Sequence, residues 1–130
     1  MIVVDASALL EVLLRTPRGS ALEQRLFAGG ESLHAPHLLD IEVAQVLRRY
    51  CAFGEIDDRR GREALDDLLD MPLTRYPHDF LLPRVWDLRN NATAYDAVYL
   101  ALAEELGAPI LTCDTRLTSV PGYRGTIELM

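Results

Sequence analysis

The chain has 130 residues, 49% apolar and 25% charged, which is the size and composition of one globular domain with a real core. Its net charge of −7 argues against a protein that coats nucleic acid, and its thirteen basic residues are all arginine, which excludes chemistry that requires a lysine. No apolar run approaches the ~20 residues that span a membrane, and the opening MIVVDASALL lacks the basic stretch and cleavage site of a signal peptide.

Ile2-Val3-Val4 is short, β-branched and continuous, the pattern of a buried strand, and Asp5 ends it. Ala6 to Leu14 reads as a helix with Ser7 in a capping position. Pro17 and Gly19 mark a turn before a second helix, about Ser20 to Phe27, closed by Gly29-Gly30. Ser32 to Ala35 has the composition of a second strand, stopped by Pro36. A strong helix is expected from His37 to about Phe53, and after Gly54 another from Asp57 to Leu69. Pro72 to Tyr76 reads as a third strand. Leu82, Val85, Trp86 and Arg89 give helical spacing to His78–Asn90. Thr93 to Gly107 forms the next helix, Pro109 to Thr112 a strand, and Gly125 to Leu129 a last strand. Strands alternating with helices imply a parallel sheet covered on both faces, with residues 1–130 as one α/β domain.

Acidic residues stand at the ends of these elements. In open parallel sheets, functional groups collect beyond the carboxyl ends of the strands, where Asp5 and Asp114 lie. Each has a hydroxyl two residues away, Ser7 and Thr112 respectively. A helix N-cap would explain either aspartate equally well. Asp96 opens an otherwise apolar helix, and Thr93 three residues before it makes a capping box the alternative. Glu42 borders the buried stripe of LLDIEVAQVLRR, inside the helix, where capping does not account for it. Asp40 points elsewhere and reads as a solvated surface acid. If Asp5, Glu42, Asp96 and Asp114 converge, each pair repels by about 3 kcal/mol at ~5 Å in an effective dielectric of ~20. Hard divalent cations with oxygen ligands offset such repulsion.

Other signals weigh less. His34 and His37 in HAPH resemble a zinc pair only until Pro36 is considered, and Cys51 and Cys113 lack ligand spacing. Two cysteines also make no disulfide framework, so a reducing, cytoplasmic setting is expected. Arg48 and Arg49 suit a helix C-terminus. Arg59, Arg60 and Arg62 read as a solvated helix face before a phosphate-binding patch. Arg15, Arg89 and Arg116 have no place assigned by local pattern. A receiver domain or a haloacid-dehalogenase-type phosphatase would need a lysine, and the latter a second aspartate where Ser7 stands. No GxxxxGKS loop is present.

VVDASALL, LLDIEVAQVLRR and TAYDAVYLALAEELGAPILTCDTRL together resemble the PIN-domain ribonucleases, and within them the VapC toxins of bacterial toxin–antitoxin pairs. The resemblance covers almost the whole chain, and YDAVYLALAEELG…ILTCD is its most specific part. It implies a three-layer α/β/α fold with a central, mainly parallel sheet. It also implies a catalytic metal site at Asp5, Glu42, Asp96 and Asp114, with hydroxyl support from Ser7 and Thr112. Asp5 and Asp96 are the expected direct ligands, with Glu42 and Asp114 completing the cluster directly or through water. Further implications are Mg²⁺ or Mn²⁺, an RNA substrate, a homodimer, and a VapB-like antitoxin that blocks the site. Tyr50 and Phe53 extend the apolar stripe of the Glu42 helix and read either as core or as part of a groove for that partner, the resemblance favouring the groove. One departure is Leu117, where some relatives carry another acid. The rival readings are a PIN-like nuclease acting on DNA or outside a toxin pair, and a non-catalytic module whose acids are caps.

Overall fold

The unbroken Ile2-Val3-Val4 run has no polar face to offer water, and β1 (Ile2–Val4) is accordingly buried on both sides. The computed structural model describes all 130 residues and places β1 at the centre of a five-stranded sheet. The other strands are β2 (Leu33–Pro36), β3 (Leu73–Tyr76), β4 (Ile110–Thr112) and β5 (Ile127–Leu129). All four pairings are parallel, in the order β3-β2-β1-β4-β5. Val3 lies beside His34 on one side and Ile110 on the other; Val4 lies beside Leu111. The chain builds outward from β1 to β3, then returns to lay β4 against the other edge of β1. Connections leaving in opposite directions open a crevice at the carboxyl ends of β1 and β4.

The connecting helices are α1 (Ala6–Leu13), α2 (Gly19–Phe27), α3 (Leu38–Ala52), α4 (Asp58–Asp70), α5 (Leu82–Asp87) and α6 (Ala94–Leu106). They flank the sheet in α/β/α layering. α1 packs with α2, α3 and α4, whereas α6 packs on β1, β2 and β4 and carries α5. Every residue from Ala97 to Ala103 is buried, which is why this stretch is apolar all round. Gly107, at φ 61°, closes α6 in the left-handed conformation that a side chain disfavours. Glu104, just past the buried stretch, accepts two hydrogen bonds from Arg84 of α5 (2.8 and 3.0 Å) and one from the Arg124 amide. The Arg84 guanidinium holds that carboxyl below its ordinary range.

Several expected boundaries shift for local reasons. The cap of α1 is Asp5, not Ser7. β2 runs through Pro36, beyond the end of its pairing with β1 at His34, instead of stopping before it. The helix expected over 78–90 is a 3-10 turn (Asp79–Leu81) and then the six-residue α5; Leu88 ends it and Asn90-Asn91 follow in a turn. A 3-10 turn at Thr115–Ser119 had no periodicity to announce it. α3 starts at Leu38, whose amide donates to Nε2 of His78, so a histidine forty residues away supplies the cap.

Side chains outside the crevice are mostly engaged with one another. His34 is buried in β2, its ring nitrogens against Ser32 Oγ (2.7 Å) and Tyr76 Oη (2.6 Å), and desolvation lowers its pKa. Asp40 is not a solvated surface acid: it pairs with Arg75 of β3 at 2.7 Å. Arg59 and Arg62 pair along α4 with Glu63 and Asp66, and Arg60 donates to the Leu13 carbonyl, so the arginine patch is largely balanced on its own helix. Arg89 stacks over Trp86, 4.8 Å from its ring centroid.

Gly19 starts α2 where α1 comes closest. An added Cβ would collide with the Glu11 backbone carbonyl, which has no torsion free to yield. Gly19→Ala is expected to cost about 1–3 kcal/mol, the usual penalty of overpacking. A lowered urea midpoint with an unchanged slope is the expected result, and an unchanged midpoint would show that the helices separate at no cost.

Candidate active site

The crevice between β1 and β4 receives its first carboxylate directly from the end of β1. Asp5 leaves the strand extended, which turns its side chain back over the first turn of α1. Its Oδ1 accepts from the Ala8 amide (3.0 Å) and the Ser7 hydroxyl (2.7 Å). Its Oδ2 accepts from the hydroxyl of Thr112, the last residue of β4, at 2.5 Å. The Asp114 amide donates to Thr112 Oγ1, and the Cys113 amide to Ser7 Oγ. Each hydroxyl owns one proton and gives it to Asp5. The 3.3 Å approach of Ser7 Oγ to Thr112 Oγ1 therefore carries no hydrogen bond of its own. Asp5 is 6% exposed and Thr112 fully buried. Burial pushes the Asp5 pKa above the ordinary value; the three hydrogen bonds oppose this, and the charge of Asp114 adds to it.

Four further acids, Glu11, Glu42, Asp96 and Asp114, line the same cleft of about 620 Å³. Glu42 comes from the middle of α3, where its Oε1 accepts from the Tyr99 hydroxyl at 2.6 Å. Desolvation raises its pKa, the Tyr99 bond opposes this, and the charges of Asp96 and Asp5 raise it further. Asp96 lies in the first turn of α6. Thr93 Oγ1 accepts from its amide at 3.1 Å, but the carboxylate does not return the bond that would complete a capping box. Asp114 follows β4 and caps the 3-10 turn through the Arg116 amide. The Arg116 guanidinium grips it (2.8–3.2 Å) and holds its carboxyl below the usual range. Arg49 and Arg116 also line the cleft, so acids outnumber bases there, and its apolar and aromatic lining includes Leu38, Ile41, Val46, Tyr50 and Tyr95.

As the side chains stand, no three carboxylates close around one point at ligand distance. Asp114 is gripped by Arg116, while Glu42 gives one of its two oxygens to Tyr99. The donor set still fits a hard divalent cation. It is all oxygen, and its two most buried members, Asp5 and Glu42, are each pushed toward protonation by burial and by neighbouring carboxylates.

The PIN domain family model matches residues 2–123. Ribonuclease VapC12 of Mycobacterium tuberculosis is 41% identical over 130 residues, covering 100% of this chain and 99% of the relative. The chain belongs to the VapC family of PIN-domain proteins. Ribonuclease VapC1 of the same species is 42% identical over 129 residues, covering 98% of this chain and 96% of the relative. Among solved structures, PAE2754 from Pyrobaculum aerophilum superposes with a TM-score of 0.71 at 24% identity, covering 97% of this chain and 81% of that one. VapBC2 from Rickettsia felis, bound to a DNA fragment from its promoter, gives 0.71 at 12% identity, covering 99% and 98%. At those identities the structures speak for the fold.

In this VapC-family chain, Asp5, Glu42, Asp96 and Asp114 all reach one cleft, and Ser7 and Thr112 both bond Asp5. Of the unassigned arginines only Arg116 lies there; Arg89 is on Trp86 and Arg15 lines a separate hollow beside Phe27 and Met71. Leu117 is buried in the core. Sequence reasoning missed Tyr99, Glu11 and Tyr95 as cleft residues. The signal for Tyr99 was present: a polar hydroxyl inside seven consecutive buried positions needs a partner.

Proposed function

We propose that the chain is a divalent-metal-dependent endoribonuclease and the toxin of a VapBC-type toxin–antitoxin pair. The observation that carries this reading is the delivery of four carboxylates, from four separate segments, to one cleft at the switch point of the sheet. Capping accounts for one Asp5 oxygen and for Asp114, but not for Glu42 or the Asp96 carboxylate. Whole-length similarity to proteins named as ribonucleases supports the same class.

Asp5 and Asp96 would hold Mg²⁺ or Mn²⁺, with Glu42 and Asp114 joining directly or through water. A divalent ion bound there offsets phosphate charge in the transition state and lowers the pKa of a bound water. Ser7 and Thr112 favour the ionised form of Asp5 against the effect of burial and fix its orientation, as donors behind a metal ligand do. Arg49 and Arg116 are the cleft cations available to RNA phosphates. The apolar wall of Leu38, Ile41, Val46 and Tyr50, with Phe53 exposed beyond it, suits a segment of a VapB-like antitoxin that would cover the acids. Residues 1–130 would act as one PIN unit, as a homodimer, in the cytoplasm.

The test is incubation of the purified protein with a structured RNA and with DNA of matching sequence. Cleavage of RNA in Mg²⁺ or Mn²⁺, abolished by EDTA, is the expected result. RNA left intact in both metals overturns the reading, and preferential cutting of the DNA replaces the substrate class.

A further inference from the structure

Tyr99 is 3% exposed in the most buried stretch of α6, where a phenylalanine would fill the same space. Its hydroxyl has a single partner, Glu42 Oε1, at 2.6 Å. Glu42 belongs to α3, so this one bond ties α3 to α6 across the cleft. Asp96 stands three residues before Tyr99 on the same helix, hence on the same face and one turn away. The bond therefore sets the position of one carboxylate relative to another.

We infer that Tyr99 is a positioning residue that holds the Glu42 carboxylate in the cleft for a divalent cation. This rests on the metal-dependent reading above and adds a residue to it. Left alone, a half-buried Glu42 repelled by Asp96 and Asp5 would swing toward water, for which a glutamate has three rotatable bonds. A tyrosine counters this with only two torsions, both fixed by packing against the core. Its hydroxyl gives its one proton to Oε1 and leaves Oε2 of this cleft-lining residue without a protein hydrogen bond. A serine or threonine at this point would lack the reach, and a charged donor would neutralise the ligand. The strongly raised Tyr99 pKa, from burial and then the Glu42 charge, is consistent with a phenol that remains a donor.

The rival account is that Tyr99 only fills the core and Glu42 merely satisfies its hydroxyl. Mn²⁺ binding, followed by loss of the free-ion paramagnetic resonance signal, separates the two in the parent, Tyr99→Phe, Glu42→Gln and the double variant. Tyr99→Phe removes one oxygen and keeps the ring, and melting in EDTA verifies that it folds. The expected result is about tenfold weaker Mn²⁺ binding in Tyr99→Phe, the usual effect of removing a group behind a ligand. The same substitution made in the Glu42→Gln background should cost almost nothing. In cleavage assays the metal concentration for half-maximal rate should rise, with the rate at saturating metal largely recovered. Parent-like Mn²⁺ affinity in Tyr99→Phe, or an undiminished loss in the Glu42→Gln background, overturns the positioning role. A parent that binds no Mn²⁺ overturns the metal reading itself, a result distinguishable from either.

Discussion

Asp96→Asn and Asp5→Asn proteins are expected to cut RNA about 100-fold more slowly than the parent, or worse, in saturating magnesium. The substitutions remove charge and leave shape. In Asp5→Asn the remaining side-chain oxygen still accepts from the Ala8 amide and the Ser7 hydroxyl. The new amide donor can meet Thr112 Oγ1, an oxygen able to accept as well as donate. At position 96 the capping bond uses the backbone amide, which is untouched. Lost cleavage with an intact fold therefore isolates the carboxylates from their capping duties. Parent-like rates in both variants would leave Asp5 as a helix cap and Asp96 as a first-turn acid, and remove the basis for a nuclease.

Without metal, the same charges are a burden, so Glu42→Gln and Asp96→Asn should melt above the parent in EDTA. Each removes a repulsion of order 1 kcal/mol, which for a chain of this size moves the melting temperature by about 3–5 °C. Added Mg²⁺ should then stabilise the parent more than either variant, because a ligand stabilises only the state that binds it. The pH dependence follows from burial and from neighbouring carboxylates. Asp5 and Glu42 both have raised pKa values in the fold, so between the ordinary carboxylate value and the raised one the folded state binds more protons than the unfolded chain. Their contribution to metal-free stability is therefore best at acid pH and declines as pH rises through the raised values. Asp114, lowered by Arg116, acts in the opposite sense below the ordinary aspartate range. The advantage of Glu42→Gln over the parent should accordingly widen as pH rises from the ordinary glutamate value toward neutrality, since the amide at that position does not ionise. Melting curves across that range test it, and a variant that is less stable than its parent throughout would mean that the acids do not repel.

Local pattern carried most of the secondary structure because burial is periodic along the chain. The β-branched triplet of β1, the all-round apolar run of α6 and the left-handed Gly107 are each legible from neighbours in sequence. It misled where the decisive partner was remote. His78 caps α3 from forty residues away, Arg75 takes Asp40 out of solvent, and a 3-10 turn forms on Asp114 where no periodicity exists. For the acids, chain position placed Asp5, Asp96 and Asp114 at the ends of core elements and Glu42 at the border of a buried stripe, and for the first three it left capping and cleft-facing roles open. The structure shows that these roles are not exclusive: one oxygen of Asp5 caps α1 while the other meets β4.

By itself the sequence determined the α/β alternation, the absence of lysine chemistry and the placement of acids at strand ends and helix starts, because these depend on residue type and on spacing within a few turns. Only the tertiary structure decided that β4 lies beside β1, and with it the bond from Thr112 to Asp5 and the tie from Tyr99 to Glu42. Strand order is set by how whole faces bury against each other. No local window contains that information, and the cleft exists only because of it.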